Sequence, residues 1–298
     1  MTEAGERALA PYRERWALDP DGPVAVTPSS VLAPVRRDGA PLTLKVPLVE
    51  EERRGGRLLA AWAGRGAVRV HASDDRGAVL MARAVDPGLL AREASADGPD
   101  ATARDDRATR ILARAAVRLH AVPVPDAVRA EAVPLRTWAR ELLEPERPLP
   151  RTLDRGRDVL RELLDGFAAD AVLHGDVHHG NVLRVDEDAL AAGGTDRDAD
   201  DAWRAIDPKA LRGDPGFDTA NVLCKPTLAI ALRPGRLARR AAVVAEETGR
   251  DRDDVLAWAE AWCALSAAWD ARDPARRERV DALVRLGGAA RALRASGS

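Results

Sequence analysis

Short runs of alternating apolar and polar residues dominate the first part of the chain. The run 42–46 alternates strictly, and residues 24–41 resemble two further strands with small polar turns at 27–30 and 38–39. Alternation with a period of two is typical of strands that bury one face. One segment, 50–63, departs from this pattern and predicts a helix. The pattern therefore predicts a small, strand-rich N-terminal region with a single helix.

The period of the apolar residues changes after Pro87. Apolar side chains recur every three or four residues over 108–119 and again over 255–269, the spacing of a buried helix face. The tryptophans of the second segment are expected in the core, because an aromatic stripe at this spacing more often packs than binds a ligand. The two patterns together predict an α+β protein, with strands in residues 1–83 and mostly helices in 84–298.

The chemically most informative segment runs from 174 to 181. Asp176 and Asn181 are five residues apart, the spacing of the Asp and Asn in a kinase catalytic loop, and Asp207 follows a short apolar run. Phosphoryl transfer requires a carboxylate to orient the acceptor hydroxyl and receive its proton, together with oxygen ligands for Mg²⁺. We predict that Asp176 has the first role, and that Asn181 and Asp207 bind the metal.

Two other interpretations of this segment are open. The Asp and Asn could merely cap turns, or the three histidines of the segment could hold zinc in a hydrolase. The chain has five histidines and the other two lie far upstream, so a binuclear site would lack ligands. We expect His174 to hydrogen-bond within the loop, and one of the adjacent pair His178 and His179 to be solvated.

Lysine is rare in this chain. Only Lys45, Lys209 and Lys225 occur among the 46 basic residues. Lys45 lies in the alternating run, and in kinases a strand lysine contacts the α- and β-phosphates. An exposed strand lysine is the ordinary alternative, but the scarcity of lysine favours the phosphate role. Backbone N–H groups of the turn that contains Ser29 and Ser30 are candidates to cover the phosphates.

Four segments, 173–176, 179–183, 206–209 and 213–218, closely resemble the aminoglycoside and hydroxyurea phosphotransferase family, whose typical members are streptomycin 6-kinases. The resemblance extends over most of the chain. It implies a two-lobed, protein-kinase-like fold with ATP and Mg²⁺ in its cleft. The small N-terminal lobe, 1–83, would be built on an antiparallel sheet and bind nucleotide. The larger, mainly helical lobe would be catalytic and bind the substrate.

The resemblance also implies an activity and a set of contacts. The activity would be ATP-dependent phosphorylation of a small cationic antibiotic, most simply the 6-hydroxyl of streptomycin, giving resistance. Asp176 matches the catalytic base, Asn181 and Asp207 the metal ligands, and Lys45 the phosphate-contacting lysine. The residues expected at the nucleotide are Lys45, Glu52, Ser29, Ser30, Met81 and Arg83.

Two departures from the family pattern concern the nucleotide. The Glu that pairs with the strand lysine is expected near 54–55, whereas Glu51 and Glu52 lie about a turn earlier. The hinge, 79–83, has Ala82 where relatives often have an acidic residue. Hinge backbone groups usually hold adenine, so this change does not exclude nucleotide binding.

A guanidinium-bearing acceptor requires carboxylates within hydrogen-bonding reach. The candidates are Asp214, Asp218, Glu141 and Asp270. Asp214 and Asp218 could instead support the loop, and the other two could be ordinary solvated acids. Two further functions stay open: a housekeeping kinase for another small alcohol, and a non-catalytic kinase-like module that binds ligand.

Composition narrows the class of partner. The chain has 298 residues, 32% of them charged, with a net charge of −2, and this near-balance argues against nucleic acid or an anionic membrane. No apolar run reaches membrane-span length, and the N-terminus lacks the pattern of a signal peptide. We expect a cytoplasmic monomer with two ordinary buried thiols. The acidic segment 186–201 is expected to be a solvated loop insertion and not a Ca²⁺ loop.

Overall fold

The computed structural model describes residues 3–166, 170–185 and 202–296. The chain forms two compact units, of which the first contains 1–87, 121–132 and 181–210 and the second contains 88–120, 133–180 and 211–298. The first segment of the first unit thus ends at Pro87, close to residue 83, but two later segments also belong to that unit. The division into 1–83 and 84–298 as functional lobes stays a prediction. The acidic segment 186–201 lies outside the described residues.

The first unit contains an antiparallel sheet of six strands. In spatial order β1, β3, β4, β6 and β5 are neighbours, and β2 also pairs with β3. The turn between β3 and β4 lies at Asp38 and Gly39, which both have positive φ (52° and 79°), as a tight hairpin requires. The predicted strands and this turn are confirmed. The strands are β1 (Asp19–Pro20), β2 (Ala25–Val26), β3 (Ser30–Arg37), β4 (Ala40–Pro47), β5 (Val70–Ser73) and β6 (Val79–Ala82).

The alternation along β4 decides which side chains enter the core. Leu42, Leu44 and Val46 belong to a buried cluster that includes Leu9 of helix α1 (Glu3–Arg15). Successive side chains of a strand point to opposite faces, so Lys45 is directed away from this cluster. The predicted helix is confirmed as α2 (Glu50–Trp62), and α5 (Asp126–Glu131) also lies in this unit.

A two-stranded ladder completes the first unit. Strands β9 (Val182–Arg184) and β10 (Trp203–Ala205) are antiparallel, with Val182 opposite Ala205. Isolated bridges from Ala67 to Ala205 and from Ala84 to Val185 connect this ladder to other segments of the same unit. The ladder therefore brings the residues just before β9 close to those just after β10.

The second unit is mainly helical, as predicted. Helix α4 (Ala101–His120) buries its predicted apolar face, and α12 (Arg252–Asp270) is buried along almost its whole length. Trp258 and Trp262 lie in the core, whereas Trp269, at the end of α12, is 43% exposed, so the core prediction was wrong for that residue. The helices are α3 (Leu89–Ser95), α4 (Ala101–His120), α6 (Leu135–Trp138), α7 (Arg140–Leu143), α8 (Asp154–Gly166), α9 (Phe217–Cys224), α10 (Leu228–Ala231), α11 (Arg236–Thr248), α12 (Arg252–Asp270) and α13 (Arg277–Ala295).

A small sheet and a buried ion pair support segment 174–180 of the second unit. Strands β7 (Val133–Pro134), β11 (Leu211–Gly213) and β8 (Ala171–Leu173) are neighbours in that order. Arg240, fully buried, donates to Asp105 at 2.6 Å and also to the carbonyl of Leu223 near the end of α9 at 3.2 Å. Arg240 thereby stabilises the C-terminal end of α9, where carbonyl groups lack helical partners.

Two further features are the state of the cysteines and the apolar character of the helices. Cys224 and Cys263 are free and buried, as expected. No helix within 3–166, 170–185 and 202–296 combines the length and the apolar character needed to cross a bilayer.

Candidate active site

A pocket in the first unit gathers most of the residues predicted to contact nucleotide or metal. It lies against the turn before β3, strand β4, helix α2 and the segment that follows β10. Seven of the eight predicted residues of this unit line it. They are Ser29, Ser30, Lys45, Glu52, Met81, Asn181 and Asp207.

Lys45 is the centre of the charged side of this pocket. Its ammonium donates both to Glu52 Oε2 and to Asp207 Oδ1. Glu52 is only 6% exposed, so its carboxylate lies within the protein next to this ammonium. The glutamate expected near 54–55 is therefore Glu52, and the apparent departure from the family pattern disappears in three dimensions.

Lys209 is a second ammonium in the same cluster, and the sequence interpretation gave it no role. Its Nζ lies 3.1 Å from Glu52, 3.2 Å from Glu51 and 3.8 Å from Asp207. Burial lowers the pKa of Lys209, but these carboxylates outweigh burial and raise it. A signal for it was available in the sequence: lysine is rare in this chain, and Lys209 lies two residues after Asp207.

Asp207 is held as an anion in a constrained backbone conformation. Burial raises its pKa, but the charges of Lys45 and Lys209 outweigh burial and lower it. Its φ of 59° is left-handed, which aspartate tolerates better than most residues. Helix α2 packs directly on this segment, because a Cβ at Gly55 would lie 2.2 Å from the carbonyl oxygen of Pro208.

Asn181 and Asp207 fit the donor set that Mg²⁺ prefers. The carbonyl of Asn181 accepts from Ile206 N at 2.8 Å, which continues the β9–β10 ladder and brings Asn181 next to Asp207. One amide and one carboxylate leave the remaining positions of Mg²⁺ to phosphate oxygens and water. The described residues contain no group of three or more His, Cys, Asp or Glu that could hold a metal.

Two predicted nucleotide contacts differ from expectation. The structure does not bring Arg83 to this pocket, because its guanidinium donates to the carbonyls of Leu42 and Val35 at 3.1 Å and 2.6 Å and pairs with Asp21. Arg83 therefore braces the sheet. The N–H groups of Ser29 and Ser30 donate to Thr27 Oγ1 at 3.3 Å and 2.9 Å, so within this turn they already have an acceptor.

Segment 174–180 of the second unit follows β8 and is held by Asp218. His174 N and Gly175 N donate to the Asp218 carboxylate at 3.0 Å and 2.7 Å, and His120 Nε2 lies 2.8 Å from it. Burial raises the pKa of Asp218, but the hydrogen bond and charge of His120, the charge of His174 and the N–H of Gly175 together outweigh burial and lower it. At 1% exposure Asp218 supports the loop, and it is a poor candidate for direct contact with an acceptor.

Asp176 is fixed by one donor at each carboxylate oxygen. Asn221 Nδ2 donates to Oδ1 at 2.7 Å, and His178 Nε2 lies 3.4 Å from Oδ2. Gly180 N donates to His178 Nδ1 at 2.9 Å, so in the neutral ring the proton is on Nε2, towards Asp176. Burial raises the pKa of Asp176, but His178 and the nearby charges of His174 and Lys225 lower it to about 2.

The other histidines of this segment are only partly as expected. Asp176 N donates to His174 Nδ1 at 3.2 Å, which confirms the hydrogen bond predicted within the loop. The prediction that one of the adjacent pair His178 and His179 is solvated was wrong. His178 is half-buried against Asp176, and His179 is 1% exposed. Burial holds the pKa of His179 well below its ordinary value.

Asn221 was not predicted, although a signal for it existed. It lies three residues after Asp218 on α9, and residues with this spacing share one helix face. The same face therefore holds the backbone of segment 174–175 through Asp218 and the carboxylate of Asp176 through Asn221.

The remaining acceptor candidates already have partners within the second unit. Asp214 accepts from Gly216 N at 2.7 Å and pairs with Arg250 at 2.9 Å. Asp270 is 6% exposed and pairs with two arginines, and Glu141 pairs with Arg272 at 2.5 Å. A direct role of these three carboxylates at the acceptor stays a prediction.

Comparison with known proteins gives consistent results. The profile of the family described as "Aminoglycoside/hydroxyurea antibiotic resistance kinase" matches residues 15–274. A streptomycin 3''-kinase from Klebsiella pneumoniae is 40% identical over 86% of this chain and 90% of its own length. A streptomycin 6-kinase from Streptomyces griseus is 30% identical over 87% of this chain and 81% of its own.

Solved structures show the same fold at low identity. An aminoglycoside phosphotransferase mutant, crystallised as a ternary complex with ADP and hygromycin B, superposes with a TM-score of 0.58 at 13% identity. The alignment covers 97% of this chain and 98% of that one. The two-lobed, protein-kinase-like fold is thereby confirmed, with a smaller lobe on an antiparallel sheet and a larger, mainly helical lobe.

Proposed function

This chain belongs to the aminoglycoside/hydroxyurea antibiotic resistance kinase family, and from that premise we propose that it transfers the γ-phosphoryl group of ATP to a hydroxyl of streptomycin. It is an aminoglycoside phosphotransferase, and the specific acceptor, the cofactors and the roles of the site residues are the proposed part. The observation that supports them best is the ammonium of Lys45 between Glu52 and Asp207 in the pocket of the first unit.

In this proposal the first unit binds Mg²⁺-ATP. Asn181 and Asp207 would hold the metal through one amide and one carboxylate oxygen, and Lys45 would contact the phosphates. Bound Mg²⁺ supplies positive charge that neutralises the phosphate oxygens as the phosphoryl group is transferred. Glu52 keeps the ammonium of Lys45 at the edge of the pocket, so the lysine is oriented before the nucleotide arrives.

Asp176 would address the acceptor hydroxyl. Because its pKa is lowered to about 2, the carboxylate is ionised at neutral pH and can accept a hydrogen bond from that hydroxyl. A carboxylate this acidic is a weak base, so it mainly orients the hydroxyl and receives the proton late. That timing suits a loose transition state, in which the acceptor oxygen acquires little charge early.

The acceptor hydroxyl has two candidates. The predicted 6-hydroxyl agrees with the activity named for the Streptomyces griseus relative, whereas the Klebsiella pneumoniae relative is named for the 3''-position and is more similar, at 40% against 30% identity. The higher identity is the reason to include the 3''-hydroxyl as a second candidate beside the predicted 6-hydroxyl. The cationic character of streptomycin is the same in both.

The deciding experiment is a phosphotransfer assay of the full chain with Mg²⁺-ATP and streptomycin, with the product position assigned by NMR. We expect one phosphate on the 3''- or 6-hydroxyl, and product formation about 10³-fold slower in a matched Asp176→Asn enzyme. Turnover of an ordinary metabolic alcohol, with streptomycin unchanged, would instead identify a housekeeping kinase. Nucleotide binding without transfer to any acceptor would identify a binding module.

A further inference from the structure

Lys209 has no task in the proposed reaction, yet it lies within the charged cluster of the first unit. Its ammonium is 3.1 Å from Glu52 Oε1, while the other oxygen of Glu52 accepts from Lys45. The Lys209 side chain is 18% exposed and that of Glu52 6%. Glu52 is thus a nearly buried carboxylate with one ammonium on each oxygen.

The two ammonium groups differ in what they do when nucleotide binds. This inference rests on the proposed function. In that function the ammonium of Lys45 contacts the phosphates, and the carboxylate of Asp207 binds the metal. Glu52 would then share Lys45 with a strongly anionic ligand. A nearly buried carboxylate that loses part of its counter-charge is unfavourable, because the protein interior screens charge poorly. Lys209 is the cation that remains at Glu52.

The backbone gives Lys209 a fixed position relative to α2. The carbonyl of Pro208, the preceding residue, lies where a Cβ of Gly55 would clash at 2.2 Å, so helix and segment are in direct contact. Lysine also suits three carboxylates in different directions better than arginine does, because its ammonium is compact and its three donors can rotate. Lysine was used here in a chain that otherwise relies on arginine.

We propose that Lys209 is a positioning residue, the permanent counter-ion of Glu52, which allows Lys45 to be shared with the phosphates of the nucleotide. Lys209 acts through Glu52 and not by touching the nucleotide. It follows that the contribution of Lys209 to nucleotide affinity depends on the charge of Glu52.

A double-mutant cycle on the full chain tests this dependence. The affinities for ADP and Mg²⁺-ADP are measured by calorimetry for the wild type, Lys209→Met, Glu52→Gln and the double variant. We expect Lys209→Met to weaken ADP binding about tenfold in the wild type, but less than about twofold in the Glu52→Gln background. Glu51→Gln is the matched control, since it removes the more exposed partner of Lys209, and we expect a change below about twofold.

Several results would overturn the inference. An equal loss in both backgrounds would mean that Lys209 contacts the nucleotide itself, and an unchanged affinity in Lys209→Met would mean that Lys45 needs no such support. A wild type that binds no nucleotide would overturn the proposed function as well. The failure of the proposed function can therefore be distinguished from the failure of this inference alone, in which the wild type still binds nucleotide. Thermal unfolding of each variant is recorded in parallel, and Lys209→Gln, with its polar end, replaces Lys209→Met should the latter not fold.

Discussion

The two carboxylates assigned to the reaction are prepared in opposite ways. Asp207, in the first unit, is surrounded by the ammonium groups of Lys45 and Lys209. Asp176, in the second, is held by an amide from Asn221 and an imidazole from His178. Burial raises both pKa values, and other groups lower them for different reasons: the charges of two lysines at Asp207, and at Asp176 a hydrogen bond and charge from His178 with the charges of His174 and Lys225.

This difference matches the proposed roles. A carboxylate that already balances cations can exchange one cation for another, as a metal ligand must when Mg²⁺ arrives with the nucleotide. A carboxylate held by an amide and an imidazole keeps its charge and its direction, as a residue that orients a hydroxyl must. We infer that the kind of partner, and not the size of the pKa shift, separates the predicted metal ligand from the predicted base.

Removing the charge of Asp176 should give the largest effect. Asp176→Asn keeps the shape but can no longer accept the hydroxyl proton, so we expect turnover to fall by about 10³-fold, within the range of lost general-base catalysis. ADP affinity, measured by calorimetry, should change less than about twofold, because the pocket of the first unit is untouched. A variant with wild-type turnover would remove Asp176 from the mechanism.

Asp207→Asn should affect the metal and leave the fold intact. Asparagine also tolerates the left-handed conformation at this position, with φ of 59°, so the segment should keep its path. Loss of the anionic ligand should lower turnover by about 10²-fold or more and should remove most of the Mg²⁺ dependence of ADP binding. A Mg²⁺ titration that matches the wild type would contradict the metal assignment.

A larger side chain at the contact between α2 and the segment that carries Asp207 should have a smaller effect. Gly55→Ala places a methyl group 2.2 Å from the Pro208 carbonyl, so helix or segment must move, and we expect a loss of about 1–3 kcal/mol in the free energy of unfolding together with weaker ADP binding. The matched control is Gly288→Ala, a helical glycine with nothing within 4 Å. It should stabilise the protein by about 0.5–1 kcal/mol, as measured by urea unfolding.

The smallest expected effect comes from changing His178, which lies next to the carboxylate of Asp176. His178→Gln can still donate towards Asp176, whereas His178→Asn can only replace the Nδ1 acceptor for Gly180 N. We expect turnover to stay within about threefold in the Gln variant and to fall about tenfold in the Asn variant, with KM for ATP unchanged in both. Equal losses would mean that the contact at 3.4 Å does not orient the carboxylate.

The parts of the site that the sequence predicted are those with local spacing. Asp176 and Asn181 lie in one short segment, and Asp207 ends an apolar run, so each could be identified without knowing the fold. The strand that carries Lys45 was predicted in the same way, from strict alternation. The side chain of Arg83 does not line the pocket, because it braces β3 and β4, and the place of Arg83 at the nucleotide stays a prediction.

The sequence by itself determined the α+β class, the strand and helix periods, the family and the residue types of the chemistry, because these depend on neighbours along the chain. Only the tertiary structure decided that Glu52 is the partner of Lys45, that Lys209 joins it, and that Asn221 holds Asp176. These pairs are 7, 157 and 45 residues apart. Which side chains meet over such separations depends on how helices and strands pack, and no local period encodes that.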